Sequence, residues 1–312
     1  MKRKILITGG AGNVGGSLAR RLVENEDNYV VIVDNLLTGS IDKLPKDCYK
    51  NWIFINADVN IISDISAIMT SFNFSYVYHY AAVVGVQRTL KNPKMVLNDI
   101  EGIKNILDLS KNTGVNRVFF SSSSEVYGEP VEIPQIEDTT PLNSRLPYAI
   151  VKNVSEAFCR SYYQEYGLNY TIFRFFNTYG PLQSDDFVIT KFINLALQDS
   201  DITIYGDGLQ TRTFCFIDDN IDTTIKIMED DLCINDTINI GSDLTVTMVE
   251  LADMVINITN SNSTKVYLPP LEEGDMTRRQ PYTGKMKKAL DRRLITLEEG
   301  IVRTMDFIKA KL

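Results

Sequence analysis

Short apolar runs separated by amphipathic stretches set the rhythm of the first half of the chain. The segments "KILITGG", "YVVIVDN", "NWIFINADV", "YVYHYAAV" and "RVFFSSS" are nearly continuous and rich in β-branched or aromatic residues, and "NYTIFRFFN" repeats the type later. Runs that do not alternate fit strands buried on both faces, as in a parallel sheet. Between them, apolar residues return at helical spacing. Val14, Leu18 and Leu22 lie four apart, and Val96, Ile100, Ile103 and Leu107 mark a helix from about 95 to 113. This alternation predicts an α/β fold with a doubly wound parallel sheet of the Rossmann type. The rhythm weakens after residue 178. There "DITIYGDG" and "DTINIGS" read as short strands, and "TMVELADMVINIT" as a helix carrying Met248, Leu251 and Val255. The expected division is a first domain over 1–178, rejoined by segments at roughly 210–242, and a smaller mixed α/β region over 179–312.

Composition narrows the class. Of 312 residues, 44% are hydrophobic and 23% charged, which is ordinary for a globular protein. The net charge is −8 and no Lys/Arg cluster is dense enough to follow a phosphate backbone, so nucleic acid is not an expected partner. No apolar stretch approaches a membrane span, and the N-terminal apolar run stops at paired glycines, too short for a signal peptide. Cys48, Cys159, Cys215 and Cys233 are scattered and read as thiols of a reducing, cytoplasmic compartment. The single histidine, His79, cannot build a multi-histidine metal site, so no metal is expected.

Candidate chemistry starts in "ITGGAGNVGG", where Gly9, Gly12 and Gly15 follow the first strand at the mouth of a helix. Glycine permits the tight turn and a close approach of pyrophosphate, and the helix N-terminus offers free N–H groups. Asp34 ends the second strand, where a carboxylate binds both ribose hydroxyls and repels a 2′-phosphate; this points to NAD. "RVFFSSSSEVYG" reads as a strand running out of the sheet core, at the end where such sheets bind ligands. "PYAIVKN" places Tyr148 and Lys152 four apart on one helix face. An ammonium beside a phenol favours the phenolate, making Tyr148 a candidate base at neutral pH.

Taken in this order, the motifs resemble the extended branch of the short-chain dehydrogenase/reductase superfamily, the NAD-dependent sugar-nucleotide epimerase/dehydratase family. The resemblance covers nearly the whole chain. It implies that Gly9, Gly12, Asn13, Val14, Gly15, Asp34, Asn35, Asp58, Val59, Ala81, Ala82, Tyr148 and Lys152 hold NAD. It makes Ser123, Tyr148, Lys152 and Glu125 the catalytic set, with His79 a packed residue. Ser123 and Ser124, Asn177 in "RFFNTYGP", Arg212 in "YGDGLQTRTFCFIDD", and Arg278 or Arg279, of which Arg279 is preferred, would contact a nucleotide-diphosphate sugar.

The implied reaction begins with oxidation at C4 of the hexose to a 4-keto intermediate. Dehydratases of the family carry an Asp-Glu pair after the Ser/Thr; here it is Ser124-Glu125, which lowers that outcome. Glu125 and Arg145 fit UDP-glucuronate decarboxylases, whereas "SSSxVYG" is common in 4-epimerases. "LPYAIVKN" lacks the decarboxylases' neighbours of the tyrosine, and "RRQPYTGKMKKAL" departs from the family's usual C-terminal pattern. A 4-epimerase ranks ahead of a decarboxylase and of a 4-dehydrogenase with retained NADH. The reading from a different class is a non-catalytic NAD-binding sensor or scaffold. Family members often form homodimers through two long helices, here about 95–113 and 149–166, and a homodimer is expected.

Overall fold

A computed structural model describes residues 2–270 and 278–311. The first half runs β1 (Arg3–Thr8), α1 (Asn13–Leu22), β2 (Asn28–Asp34), β3 (Trp52–Asn56), α2 (Ile62–Phe72) and β4 (Tyr76–His79). There follow α3 (Val86–Lys91), α4 (Pro93–Leu97), α5 (Asp99–Thr113), β5 (Arg117–Ser123), α6 (Pro147–Tyr166) and β6 (Asn169–Phe175). The second half holds β7 (Thr178–Tyr179), α7 (Val188–Leu197), β8 (Ile202–Tyr205), β9 (Thr211–Thr213), β10 (Cys215–Phe216) and α8 (Ile217–Glu229). It ends with β11 (Asp236–Ile240), β12 (Thr245–Thr247), α9 (Met248–Thr259), β13 (Lys265–Leu268), α10 (Gly284–Leu290) and α11 (Leu297–Lys309).

Seven strands form one parallel sheet in the order β11-β6-β5-β4-β1-β2-β3. The order reverses between β1 and β4, whose register ends at Thr8 opposite His79. In a doubly wound sheet that reversal opens the ligand crevice. Apolar side chains from both strands and helices close one side of the sheet. Val31, Val33, Val77, Val118 and Ile172 meet Ile65 and Met69 of α2, Ile103, Ile106 and Leu107 of α5, and Cys159 of α6. Each such side chain contributes about 1.5–3 kcal/mol on burial.

Two compact units divide the chain. The first comprises Met1–Val126, Ser144–Arg174 and Thr224–Ile238; the second comprises Tyr127–Asn143, Phe175–Thr223 and Asn239–Leu312. In the second, α7, α9 and α11 pack together beside two small sheets, β8 with β13 in parallel and β9 with β12 antiparallel. A capping box starts α9: Thr247 Oγ1 accepts from the Glu250 N–H, and Glu250 accepts from the Thr247 N–H.

Two elements differ from the periodicity. The helix expected from 95 to 113 is two helices, α4 and α5, separated at Asn98. The run "YVYHYAAV" is a strand only to His79, where its pairing with both β1 and β5 ends.

Candidate functional site

The turn after β1 is built for close backbone approach. Gly9 sits at φ +68, and a Cβ there would meet the Ala81 nitrogen at 2.6 Å. A Cβ on Gly15, in the first turn of α1, would stand 2.3 Å from the Gly9 carbonyl oxygen. Gly12 caps α1 without a side chain, so the first-turn N–H groups of Asn13, Val14 and Gly15 have no intrahelical acceptor. The side-chain oxygen of Asn13 is buried with no hydrogen-bond partner among the described residues. An uncapped helix start, side-chain-free walls and an orphaned polar atom fit a dinucleotide pyrophosphate.

Asp34 closes β2 nearly buried. One carboxylate oxygen accepts the Ala11 N–H at 3.0 Å and the other accepts the Leu36 N–H at 2.8 Å. Those bonds fix its orientation and leave lone pairs for two ribose hydroxyls. Asn35 donates to Asp58 Oδ2 at 2.9 Å, Asp58 Oδ1 accepts the Asn60 N–H at 2.9 Å, and Asn105 donates to the Val59 carbonyl at 2.9 Å. Asp58 thus ties together the loops after β2 and β3, while Val59 is buried in the core beside α2 and α5. Ala81 and Ala82 follow β4, and the Ala81 N–H donates to Thr8 Oγ1 at 3.3 Å. His79 is buried, bonded to Thr8 at 2.8 Å, and pushed down to about 3 by burial and then by the Lys152 charge, so it stays neutral.

The candidate reacting groups lie at the end of β5 and the start of α6. Ser123 ends β5, and its Oγ accepts the Glu125 N–H at 3.2 Å, fixing the short turn of Ser124–Tyr127. Ser124 is buried and Glu125 half-buried. Tyr148 lies half-buried in the first turn of α6 and packs against Val83, Val96 and Val151. One turn later, Lys152 is 4% exposed, donates to the Ser121 carbonyl at 2.7 Å, and lies 5.8 Å from the Tyr148 ring centre. Burial pushes Lys152 down to about 8, against the opposing pull of the Asp99 and Glu156 carboxylates. An ammonium beside a phenol, at the exit of a strand two places from β1 in the sheet, can acidify that phenol for proton removal from a carbinol.

Three further candidates belong to the second unit. Asn177 takes the left-handed conformation at φ 35 and donates to the Thr213 carbonyl at 2.8 Å. Arg212, next to Thr213 on β9, donates to the Thr211 carbonyl at 2.9 Å. Arg279 is buried in a separate segment before α10. Arg145 is exposed.

Two carboxylates near Lys152 escaped the sequence reading. Asp99, in the first turn of α5, accepts the Val83 N–H at 2.8 Å, and burial raises its pKa. Glu156 follows Lys152 by one helical turn; the i, i+4, i+8 spacing from Tyr148 was the available signal.

Residues 5–241 match the model of the NAD dependent epimerase/dehydratase family. UDP-glucuronic acid decarboxylase 3 of Arabidopsis thaliana is 35% identical over 308 residues, covering 96% of this chain and 86% of the relative. UDP-N-acetyl-alpha-D-glucosaminuronate decarboxylase of Bacillus cytotoxicus is 34% identical over 324 residues, 99% of this chain and 98% of that one. The UDP-glucose 4-epimerase of Thermotoga maritima, solved with UDP-glucose, superposes with a TM-score of 0.92 at 30% identity, covering 99% of both chains. The glycine cradle, Asp34 and the Tyr148–Lys152 pair accordingly stand in a chain that belongs to the NAD-dependent epimerase/dehydratase family, with NAD as its cofactor.

Proposed function

We propose that the protein oxidises C4 of a UDP-hexuronate and releases C6 from the resulting 4-keto sugar as carbon dioxide. The observation that carries the oxidation is the buried Lys152 ammonium beside Tyr148. NAD, when bound, would take hydride from C4 and return it to the C4 ketone once the enolate has been protonated at C5, so that the net change is loss of carbon dioxide alone. Tyr148, as phenolate, takes the proton from the 4-hydroxyl, and the Ser123 hydroxyl hydrogen-bonds the same oxygen. With C4 a ketone, a C6 carboxylate lies β to the carbonyl. The C5–C6 bond then breaks with its electron pair passing to the enolate oxygen, which Ser123 and protonated Tyr148 stabilise. This outcome needs no acid–base pair for water loss, and Ser124-Glu125 does not supply one. The two decarboxylases at 34–35% identity over almost the whole chain support the same reading. Asn177, Arg212 and Arg279 are assigned to the UDP moiety.

A second reading, UDP-sugar 4-epimerisation, is favoured by the likeness to the Thermotoga maritima epimerase and uses the same three groups for oxidation. The test is incubation of the NAD-loaded protein with UDP-glucuronate, UDP-N-acetylglucosaminuronate, UDP-glucose and UDP-N-acetylglucosamine, with products followed by mass and NMR. Loss of the mass of carbon dioxide from a uronate is the expected result. Unchanged mass with inverted C4 would select the epimerase instead. No turnover of any of the four would overturn both.

A further inference from the structure

The last three residues of β5 are serines, all buried, and each makes a different contact. Ser121 gives its carbonyl to the Lys152 amine at 2.7 Å. Ser122 donates its hydroxyl to Glu156 Oε1 at 2.6 Å. Ser123 presents the hydroxyl assigned to the substrate oxygen. Glu156 is itself fully buried on α6, and Arg174 of β6, 2% exposed, grips both of its oxygens, Nε to Oε1 at 2.9 Å and Nη2 to Oε2 at 2.8 Å. Arg160 adds a bond to Oε2 at 2.9 Å. A buried carboxylate with every donor in place is a rigid joint, since bidentate arginine pairs fix orientation as well as distance.

We propose that Glu156, acting through Ser122 and Arg174, is a positioning residue for the reaction. It locks the exit of β5 to α6, so that Ser123 on the strand and Tyr148 and Lys152 on the helix are held in one frame. The inference rests on the assignment of those three as reacting groups. Glu156 also carries charge toward Lys152. Its amine is faced by Asp99 from α5, Glu156 and Tyr148 from α6, and neutral His79 from β4, with Arg174 and Arg160 beyond Glu156. Burial opposes ionisation of Glu156, but Arg174, Ser122 and Arg160 outweigh it and hold the carboxyl below its ordinary value. It is therefore anionic throughout the working range.

The experiment compares NAD-loaded Ser122→Ala, Ser122→Thr and Glu156→Gln with the wild type, reading kcat, KM, the alkaline limb of kcat/KM and the melting temperature. Ser122→Ala keeps the Glu156 charge and removes one tie. Its kcat is expected to fall roughly 10- to 100-fold, as for a small misplacement of reacting groups, with KM within about twofold and the alkaline limb unmoved. Ser122→Thr restores the hydroxyl and should recover kcat. Glu156→Gln removes a counter-charge from Lys152, so its alkaline limb should move down by about one pH unit. Folded Ser122→Ala with wild-type kcat overturns the proposal, as does a Ser122→Thr variant no better than alanine. If Glu156→Gln fails to fold, the serine pair still decides. Tyr148→Phe separates the two assignments. Full activity in that variant sinks the catalytic reading, whereas an inactive Tyr148→Phe beside a fully active Ser122→Ala sinks the positioning role alone.

Discussion

Lys152 keeps its amine inside the protein, and this makes activity and stability respond to alkali in opposite directions. The folded amine titrates at about 8, the free side chain at 10.5. Below pH 8 both states carry the proton, and the folded state bears the full cost of a buried charge. Between about 8 and 10.5 the folded amine has lost its proton while the unfolded chain retains it. The unfolded state then binds more protons, so this residue's contribution to stability becomes more favourable as pH rises. The proposed mechanism needs the ammonium beside Tyr148, so turnover should decline through the same window. Denaturant unfolding of wild type and Lys152→Met across that range is the check. The difference in unfolding free energy should move toward the wild type with rising pH while wild-type kcat/KM falls; a difference independent of pH would mean the amine is not buried as described. Tyr148 is the proposed base itself. Replacing its hydroxyl in Tyr148→Phe should lower kcat by about 10²–10⁴-fold, the ordinary yield of general base catalysis, with UDP-sugar affinity by calorimetry little changed.

At the scale of elements, the cofactor cradle depends on how closely α1 follows β1. Gly15→Ala would place a methyl 2.3 Å from the Gly9 carbonyl oxygen, which is backbone and has nowhere to go. The start of α1 must shift, and with it the uncapped N–H groups. NAD affinity, measured by calorimetry, is expected to fall at least about tenfold, or about 1.4 kcal/mol, while far-ultraviolet circular dichroism stays native. Unaltered affinity would show that this turn does not touch the cofactor. The turn was legible in the sequence because glycine at a strand–helix junction has few other uses, and the six continuous runs up to residue 177 all pair in the central sheet for the same kind of reason: continuous β-branched and aromatic residues have no other comfortable environment. Less was legible where pairing is short or polar. β7, β9, β10 and β12 span two or three residues each, too few for a period to register. The Ser122–Glu156–Arg174 joint is hydrophilic in sequence and buried in space, with partners 34 and 18 positions from Glu156. Hydrophobic patterning cannot see a core contact made of charges. Asp99 was hidden by the same logic, inside a stretch read as one uninterrupted helix.

For the whole molecule, the telling fact is that every residue assigned to NAD lies before residue 153, yet the unit holding them is completed by Thr224–Ile238. Those late residues serve more than the sheet edge. Arg117 of β5 is 2% exposed, and its guanidinium donates to the Leu232 carbonyl at 2.9 Å and pairs with Asp231 at 2.5 Å. Thr171 Oγ1 donates to the Cys233 carbonyl at 2.8 Å, the Tyr170 N–H to the Asn235 side chain at 3.0 Å, and the Tyr78 hydroxyl to the Thr224 carbonyl at 3.3 Å. A fragment ending at residue 178, where the hydrophobic rhythm fades, would strand all of these. Leaving one buried charge without its partner costs about 3–5 kcal/mol, against a total stability of about 5–15 kcal/mol for a typical domain. Exposure of β6 along its β11 side adds to that loss. The fragment 1–178 is therefore expected to unfold without a cooperative transition, and adding NAD should not produce one, although every residue assigned to NAD is present in its sequence. Rejoining 224–238 through a flexible linker should restore a melt whose midpoint rises with NAD concentration, since a ligand bound by the folded state alone stabilises it in proportion to the logarithm of its excess over Kd. A cooperative, NAD-responsive melt from 1–178 by itself would show that the late segment is an ornament of the sheet and not part of what folds it.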